Sequence, residues 1–492
     1  MSTNGLKFIA NFSNHAPQFG SNISTGGDLN GDGYDDFAVA GMYSTKESNS
    51  EGGVFVRFGT SSLTNVTMNT AGGLLLWGRF TSGLLGVIDS AGRFADVNSD
   101  GYMDHFASDY YNSIGETGDS DGMTYVEMGS STYASKTDGA MTAGALEGDD
   151  GMGWNVGFGS GGVGDFDGDG IDDVATVATL YGINGAVFIR SGNTVTSGWT
   201  STAGSLWSDG LRLVGSDEGL YNLSAIGDFN GDGFDDVLVN SSVSDLRAYV
   251  VFGGSSLSNM TLSDNMGTRG LTIILQSAPA GGSSGAGGDF NGDGFDDIVL
   301  GDIDDASGIG KATVIYGKDA LSAVTHQGTT GADNLTGTAG VDIIIGGLGD
   351  DVIYGNGGMD SLRGGMGNDT FHVNVTSTNF RRIDGGGGDD TIVFTNTGGT
   401  TVDLRVPQLY KRLRHIEYLD ISQTGAITLQ LDVMAVSYLT NPGKSGYLYI
   451  ICDASDPTVQ LTGSWSKGSL TSGYYPYTLN GAKLYIDQDC DP

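Results

Sequence analysis

The chain has 492 residues, enough for two to four domains of ordinary size, and holds 85 glycines against 7 prolines. Its 59 acidic and 22 basic residues give a formal net charge of −37. Such a chain repels the phosphates of nucleic acid and the surface of an anionic membrane, and it resists compaction unless cations neutralise it, for which divalent ions are the natural candidates.

The glycines lack the three-residue period of collagen, and aromatic residues are too many for a disordered tract, so a β-rich protein with many tight turns is expected. Residues 1–20 show neither the charged nor the apolar stretch of a conventional signal peptide, so an export signal is expected elsewhere. No apolar run reaches the length of a membrane span.

The first motif is Asp28–Asp36, DLNGDGYDD. It returns as DVNSDGYMD (96–104), DFDGDGIDD (165–173) and twice as DFNGDGFDD (228–236 and 289–297). These are called loops 1 to 5 below. Successive first aspartates lie 68, 69, 63 and 61 residues apart. Short apolar runs follow, such as FAVAG, VATVA, VLVN and IVLG, and then second strands closing on glycine at 59, 129, 254 and 317. Alternation of strand and turn dominates through residue 327, and a 60–70-residue unit with about four short strands is the size of a propeller blade.

In D-x-[DN]-x-D-G-x-x-D, side-chain oxygens stand at positions 1, 3, 5 and 9, and position 7 offers its backbone carbonyl. Five or six hard oxygen donors within nine residues suit Ca²⁺, and the glycine at position 6 permits the sharp turn that gathers them. The expected ligands in loop 1 are Asp28, Asn30, Asp32, Tyr34 and Asp36. Loop 2 supplies Asp96, Asn98, Asp100, Tyr102 and Asp104, and loop 3 supplies Asp165, Asp167, Asp169, Ile171 and Asp173. Loop 4 gives Asp228, Asn230, Asp232, Phe234 and Asp236, and loop 5 gives Asp289, Asn291, Asp293, Phe295 and Asp297. An EF-hand is excluded, because Val39 stands where a bidentate glutamate is needed.

The second motif is a nonapeptide, G-G-x-G-x-D-x-U-x with U a large apolar residue. Five copies run without a break from 328 to 372, and a sixth spans 385–393. This pattern is the signature of a calcium-binding parallel β-helix. The aspartates Asp333, Asp342, Asp351, Asp360, Asp369 and Asp390 are expected to meet glycine carbonyls of neighbouring turns, among them Gly347, Gly349, Gly365 and Gly367. Leu335, Ile343, Ile353, Leu362, Phe371 and Ile392 are expected to point inward as a thin core, with calcium supplying part of the folding free energy. The first two copies lack the second glycine and read as a degenerate cap.

Strand patterns continue after 394, as in AITLQLDV and SGYLYIIC. Two cysteines, Cys452 and Cys490, exclude a disulfide-stapled scaffold; a pair and two free thiols are equally open. A GxGxxG match at 157–162 precedes a calcium loop rather than a helix. The histidines (His15, His105, His326, His372, His415) show no metal-binding spacing, and no nucleophile elbow occurs. No enzymatic activity is expected.

The five aspartate loops, with their terminal Phe-Gly or Tyr-Gly, resemble the FG-GAP (integrin α-like) β-propeller family over roughly residues 5–320. That implies an all-β propeller with calcium in loops on one face. Family propellers usually have seven blades, but five repeats are counted here, so a five-bladed closed ring is expected, with an atypical extra blade as the alternative. The Gly-Ala-Pro element survives only as fragments such as Ala278-Pro279. Residues 328–393 are similar to the RTX calcium-binding β-roll family, and the tail (HIEYLDIS at 415–422) resembles the domain that ends many such proteins. The resemblance implies type I secretion through an uncleaved C-terminus, and a roll that folds on meeting millimolar calcium outside the cell. The expected division is 1–325 propeller, 326–393 β-roll and 394–492 β-rich C-terminal domain carrying the secretion signal.

The expected function is that of a secreted structural or adhesive cell-surface protein. Calcium would drive its homo-oligomeric or polymeric assembly, through contacts between the propeller of one chain and the C-terminal domain of another. The alternative is a lectin-like glycan-binding module, with Trp77, Trp154, Trp199 and Trp207 lining sites at blade spacing, although large residues at that spacing also serve as inter-blade core.

Overall fold

A computed structural model describes residues 8–10, 18–30, 36–42, 53–59, 66–68, 73–77, 94–109, 123–130, 139–140, 145–147, 156–179, 184–192, 210–216, 219–241, 247–274, 287–302, 311–320, 322–374, 380–395, 400–422, 427–440, 447–453, 458–479 and 482–490. Asp32, Tyr34, Trp154, Trp199, Trp207 and the Ala278-Pro279 fragment lie outside these residues, as does the side chain of Trp77.

The chain is all-β. Each aspartate loop sits at the first turn of an antiparallel meander. The most complete are Gln18–Gly27, Asp36–Met42, Gly53–Arg57 and Gly73–Trp77 around loop 1; Val156–Gly164, Asp173–Ala178, Ala186–Arg190 and Leu211–Gly215 around loop 3; and Leu220–Gly227, Asp236–Ser241, Arg247–Val251 and Gly270–Ile274 around loop 4. Loop 5 leads into the pair Ile298–Asp302 and Lys311–Ile315.

Every residue of Asp173–Ala178 and of Asp236–Ser241 is buried. Their near-continuous apolar runs are therefore the mark of strands covered on both faces. Val177, Val187, Val237, Val239 and Tyr249 form one core between the third and fourth sheets. The five sheets follow one another along the chain, and no pairing among the described residues closes them into the five-bladed ring expected from the sequence.

The nonapeptides wind into a parallel roll in which successive copies alternate between two sheets. One sheet takes Ile343–Leu348, Asp360–Met366, Phe380–Gly387 and Leu413–Arg414; the other takes Asn334–Thr336, Val352–Tyr354, Thr370–Val373, Thr391–Phe394 and Tyr418–Asp420. Asn334 pairs with Val352 and Val352 with Thr370, so one full coil is eighteen residues, two nonapeptides. Ile344, Ile353, Leu362, Phe371 and Ile392 point inward. The second copy's inward residue is thus Ile344, which pairs with Leu362, rather than Ile343.

The sheets run on past residue 393 without interruption, through Leu448–Ile451 and Ala482–Asp487. A third parallel sheet forms from Thr401–Asp403, Thr428–Leu431 and Thr458–Leu461, and the helix Val433–Thr440 packs on Leu448–Ile451 and Ala482–Asp487. One core continues from Ile344 to Cys490, so the roll is not limited to the thin core its repeats would supply. Cys452 and Cys490 are paired in a disulfide and both are buried.

Candidate calcium sites

In loop 3 one carboxylate oxygen from each of Asp165, Asp167 and Asp173 lies within 4.8 Å of the other two. Glycine makes the turn possible twice over: Gly168 and Gly170 take φ of +80° and +88°. The Asp165 carboxylate accepts the Gly170 N–H at 3.0 Å through Oδ2, while its Oδ1 is buried without a hydrogen-bond partner. Burial, together with the charges of Asp235, Asp169 and Asp167, pushes Asp165 up to about 7. Burial and the charges of Asp167 and Asp165 raise Asp173 well above its ordinary value. A buried, oxygen-only set that repels itself is what a hard divalent cation relieves, so these residues fit Ca²⁺ and would hold it through Asp165, Asp167 and Asp173.

Loops 2, 4 and 5 are stabilised differently. In them the amide of the position-3 asparagine donates to the position-5 aspartate: Asn98 to Asp100 at 3.0 Å, Asn230 to Asp232 at 3.0 Å and Asn291 to Asp293 at 2.9 Å. Asp167 has no such proton to offer Asp169. Loop 3 thus lacks an internal bond that those three loops have.

The position-9 aspartate does more than face an ion. In every loop one of its oxygens accepts the position-2 N–H. The other accepts the N–H of a glycine beyond the second strand: Gly59 to Asp36 at 2.8 Å, Gly129 to Asp104 at 2.8 Å, Gly192 to Asp173 at 3.0 Å, Gly253 to Asp236 at 2.9 Å and Gly317 to Asp297 at 2.8 Å. A Cβ on Gly129, Gly192, Gly253 or Gly317 would collide with the main-chain oxygen of Met103, Asp172, Asp235 or Asp296. The glycine that closes each second strand is there for this contact.

Position 8, unassigned in the sequence, staples neighbours: Asp172, Asp235 and Asp296 accept the N–H of Asp96, Asp165 and Asp228 in the preceding loop, at 3.0, 2.9 and 2.7 Å. The paired aspartates ending four of the five motifs were the visible signal.

In the roll the aspartates form a ladder. Oδ1 of each accepts the N–H of its counterpart one coil earlier: Asp351 from Asp333 at 2.7 Å, Asp360 from Asp342 at 2.9 Å, Asp369 from Asp351 at 2.8 Å and Asp390 from Asp369 at 2.8 Å. Glu417 takes the next rung, accepting the N–H of Asp390 at 2.8 Å. The second oxygen separates the copies. In the first two, Thr338 donates its N–H and hydroxyl to Asp342 Oδ2 at 2.6 and 2.8 Å, and Thr329 does the same for Asp333. Burial works upward on Asp342, but the Thr338 bonds, with Thr325 and His326, together outweigh it and hold it below its ordinary value.

Asp351 has no threonine, and its Oδ2 is buried without a hydrogen-bond partner. Burial raises Asp351 and carries Asp360 to about 6. The threonine in place of the second glycine therefore closes Asp333 and Asp342 internally, while the later rungs keep an oxygen for a cation. Gly347, Gly349, Gly365 and Gly367 take φ between +105° and +134°, and their main chains stack on one another in the turns between the sheets.

A model of the RTX calcium-binding nonapeptide repeat matches residues 327–362, 349–374 and 382–394, and a model of the FG-GAP repeat matches residues 19–56. The chain carries RTX and FG-GAP repeats. RTX nonapeptides bind Ca²⁺, and repeats of both kinds are typical of extracellular proteins. Among curated proteins none matches the chain. No helix of the described residues is long and apolar enough to cross a membrane.

The RTX roll also supplies cations to the FG-GAP-like loops, which the sequence did not foretell. Arg363 meets Asp228 at 2.8 Å with both side chains buried; Arg382 and Arg414 meet Asp235 at 3.0 and 3.1 Å; Lys411 meets Asp96 at 3.1 Å and Asp172 at 3.4 Å. Arg381 lies 4.1 Å over the Phe234 ring. Burial works upward on Asp235, but Arg414 and Arg382 hold it well below the carboxylate range. Asp96 and Asp228, expected as calcium ligands, thus have protein cations as partners. Within the sheet, Arg363, Asp384 and Arg414 share one register, so the strip alternates in charge.

Proposed function

We propose that this calcium-binding repeat protein is a secreted, non-catalytic structural or adhesive component of a cell surface that polymerises in calcium. The observation that carries the reading is the open repetition of the molecule. Loops 2, 3 and 4 are each fastened to the next by the same carboxylate staple, and each roll rung to the next by the same aspartate contact. Such arrays grow by addition rather than enclosing a pocket, as in solenoids generally. A buried disulfide suits an oxidising exterior. Export by a type I route, with the signal in residues 394–492, follows from the same reading.

Calcium would be held by the loops and by Asp351, Asp360, Asp369 and Asp390, with about seven ions per chain as the minimum. Native mass spectrometry counts them, and three or fewer would overturn the assignment. Light scattering during a calcium titration, followed by electron microscopy, tests assembly: ordered polymers are expected, and a monomer at millimolar calcium would sink the proposal.

One feature favours glycan binding instead. Tyr418, Tyr449 and Tyr485 stack at 4.9 Å centroid spacing on the outer face of the roll. Their faces cover one another, which leaves edges rather than rings for a sugar, and a glycan array decides it.

A further inference from the structure

Loops 1, 3 and 4 are each covered by the next in a fixed pattern. The position-1 carbonyl accepts the position-8 N–H of the following loop: Asp28 from Met103 at 3.1 Å, Asp165 from Asp235 at 3.1 Å and Asp228 from Asp296 at 3.2 Å. The position-2 carbonyl accepts an N–H at the end of the following unit's second strand: Leu29 from Ser130 at 3.0 Å, Phe166 from Gly254 at 2.8 Å and Phe229 from Lys318 at 3.0 Å. The position-2 side chain is sealed in the junction. Leu29 and Val97 are 0 % exposed, and Phe166 and Phe229 are 1 % exposed.

Loop 5 breaks the series. Phe290, chemically identical to Phe166 and Phe229 and at the same motif position, is 56 % exposed. Val314 and Tyr316 of the same unit are 47 % and 57 % exposed. Among the described residues no following loop meets the main chain of Asp289 or Phe290. The opposite end shows the complementary defect. Ser160, five residues before its loop, packs on the preceding sheet through Ser108, and its counterpart Leu223 packs into the core shared with the preceding sheet. Ile23, the same position in the first sheet, is 61 % exposed. Sealing a large apolar residue in a junction removes it from water and stabilises the contact, and here both halves of one junction stand open.

We infer that the fifth unit is covered by the first unit of a second copy of this chain, through the clamp that joins consecutive units within the chain. Continuity with that interface argues for this occupant: the exposed residues are the ones the internal junctions bury, at matching positions. The propeller-to-C-terminal contact expected between chains from the sequence is made within one chain, by Lys411 and Arg414, so it leaves the end faces for assembly. A head-to-tail contact of this kind need not close, and it propagates as a filament. The inference rests on the assembly reading and names its surface.

The test uses the full chain in millimolar calcium, read by analytical ultracentrifugation and electron microscopy. Phe290→Ser, Val314→Lys and Ile23→Lys should each raise the concentration needed for assembly by about tenfold or more. Their circular dichroism should stay unchanged, because all three side chains are exposed. Val314→Lys lies away from the loop carboxylates and guards against an effect on calcium. Mixing Val314→Lys with Ile23→Lys should restore one good junction and give discrete dimers. If the unaltered chain polymerises and the variants polymerise equally, or the mixture stays monomeric, this surface is wrong while assembly stands. If the unaltered chain is monomeric, the assembly reading itself falls.

Discussion

The FG-GAP-like sheets and the RTX roll bear the same ligand chemistry on opposite foundations. Around loops 3 and 4 the strands Asp173–Ala178 and Asp236–Ser241 are buried on both faces, so the sheets have a core whether or not the loops hold ions. In the early coils of the roll each short strand contributes one inward residue, such as Ile353 or Phe371, and the turns between are glycine and aspartate. An ion at a loop would relieve repulsion among carboxylates on a framework already packed. An ion in the roll would complete the framework.

The largest effect should come from removing calcium. A chelator is expected to strip hydrogen-exchange protection from residues 343–373 while Asp173–Ala178 and Asp236–Ser241 stay protected; equal loss in both would erase the contrast.

Arg363 tests whether the two regions are independent. Arg363→Met leaves Asp228 buried without its partner and should destabilise the chain by about 3–5 kcal/mol. Chemical denaturation reads this directly. A change below about 1 kcal/mol would mean that the regions merely touch.

A finer comparison lies within the calcium sites. Asp351→Ala should raise the calcium concentration needed to fold the roll by about tenfold or more, against little change in that midpoint for Asp28→Ala. Asp333→Ala should do less than Asp351→Ala, because Thr329 already closes that oxygen. Circular dichroism during calcium titration ranks the three, and an equal response from Asp333 and Asp351 would remove the role given to the threonines.

The smallest effect is in pH. Without calcium, burial and neighbouring carboxylates raise Asp165 and Asp232 to about 7, and burial raises Asp360 to about 6. A carboxyl whose folded value is raised favours the folded state most at low pH, and this contribution is lost as pH rises from about 4 through 7. The calcium-free chain should therefore melt higher at pH 5 than at pH 8, and calcium should flatten or reverse the trend. A calcium-free melting temperature that climbs with pH would contradict these shifts.

The repeats were legible because each residue's role is local. Asp165, Asp167 and Asp173 fall within nine residues, and the register of Asp351 over Asp333 follows from two nonapeptides per coil. What was not legible joins residues far apart. Nothing near Lys411 or Arg363 announces a partner at Asp96 or Asp228, since the pairing arises from how two stacks lie side by side. Thr329 and Thr338 read as a mere loss of glycine, when their hydroxyls replace what a cation does on later rungs. The Cys452–Cys490 pair could not be told from two thiols, because the strands that bring them together are set by the sheet register.

The cations along the roll also act as a ruler. Arg363 and Arg381 sit on neighbouring strands of one sheet and Arg412 just before the next, and such strands are about 4.8 Å apart. The three donate to the main-chain carbonyls of Gly294, Asp232 and Asp169 in loops 5, 4 and 3. The pitch of the roll therefore dictates the pitch of the loops resting on it. An extra coil could be spliced in at the His326 end without moving any of these marks. A coil spliced in between Arg363 and Arg381 would slide one loop a full graduation away from its partner. The roll is free to vary in length at its beginning and is fixed in its middle, where its graduations are read by another part of the chain.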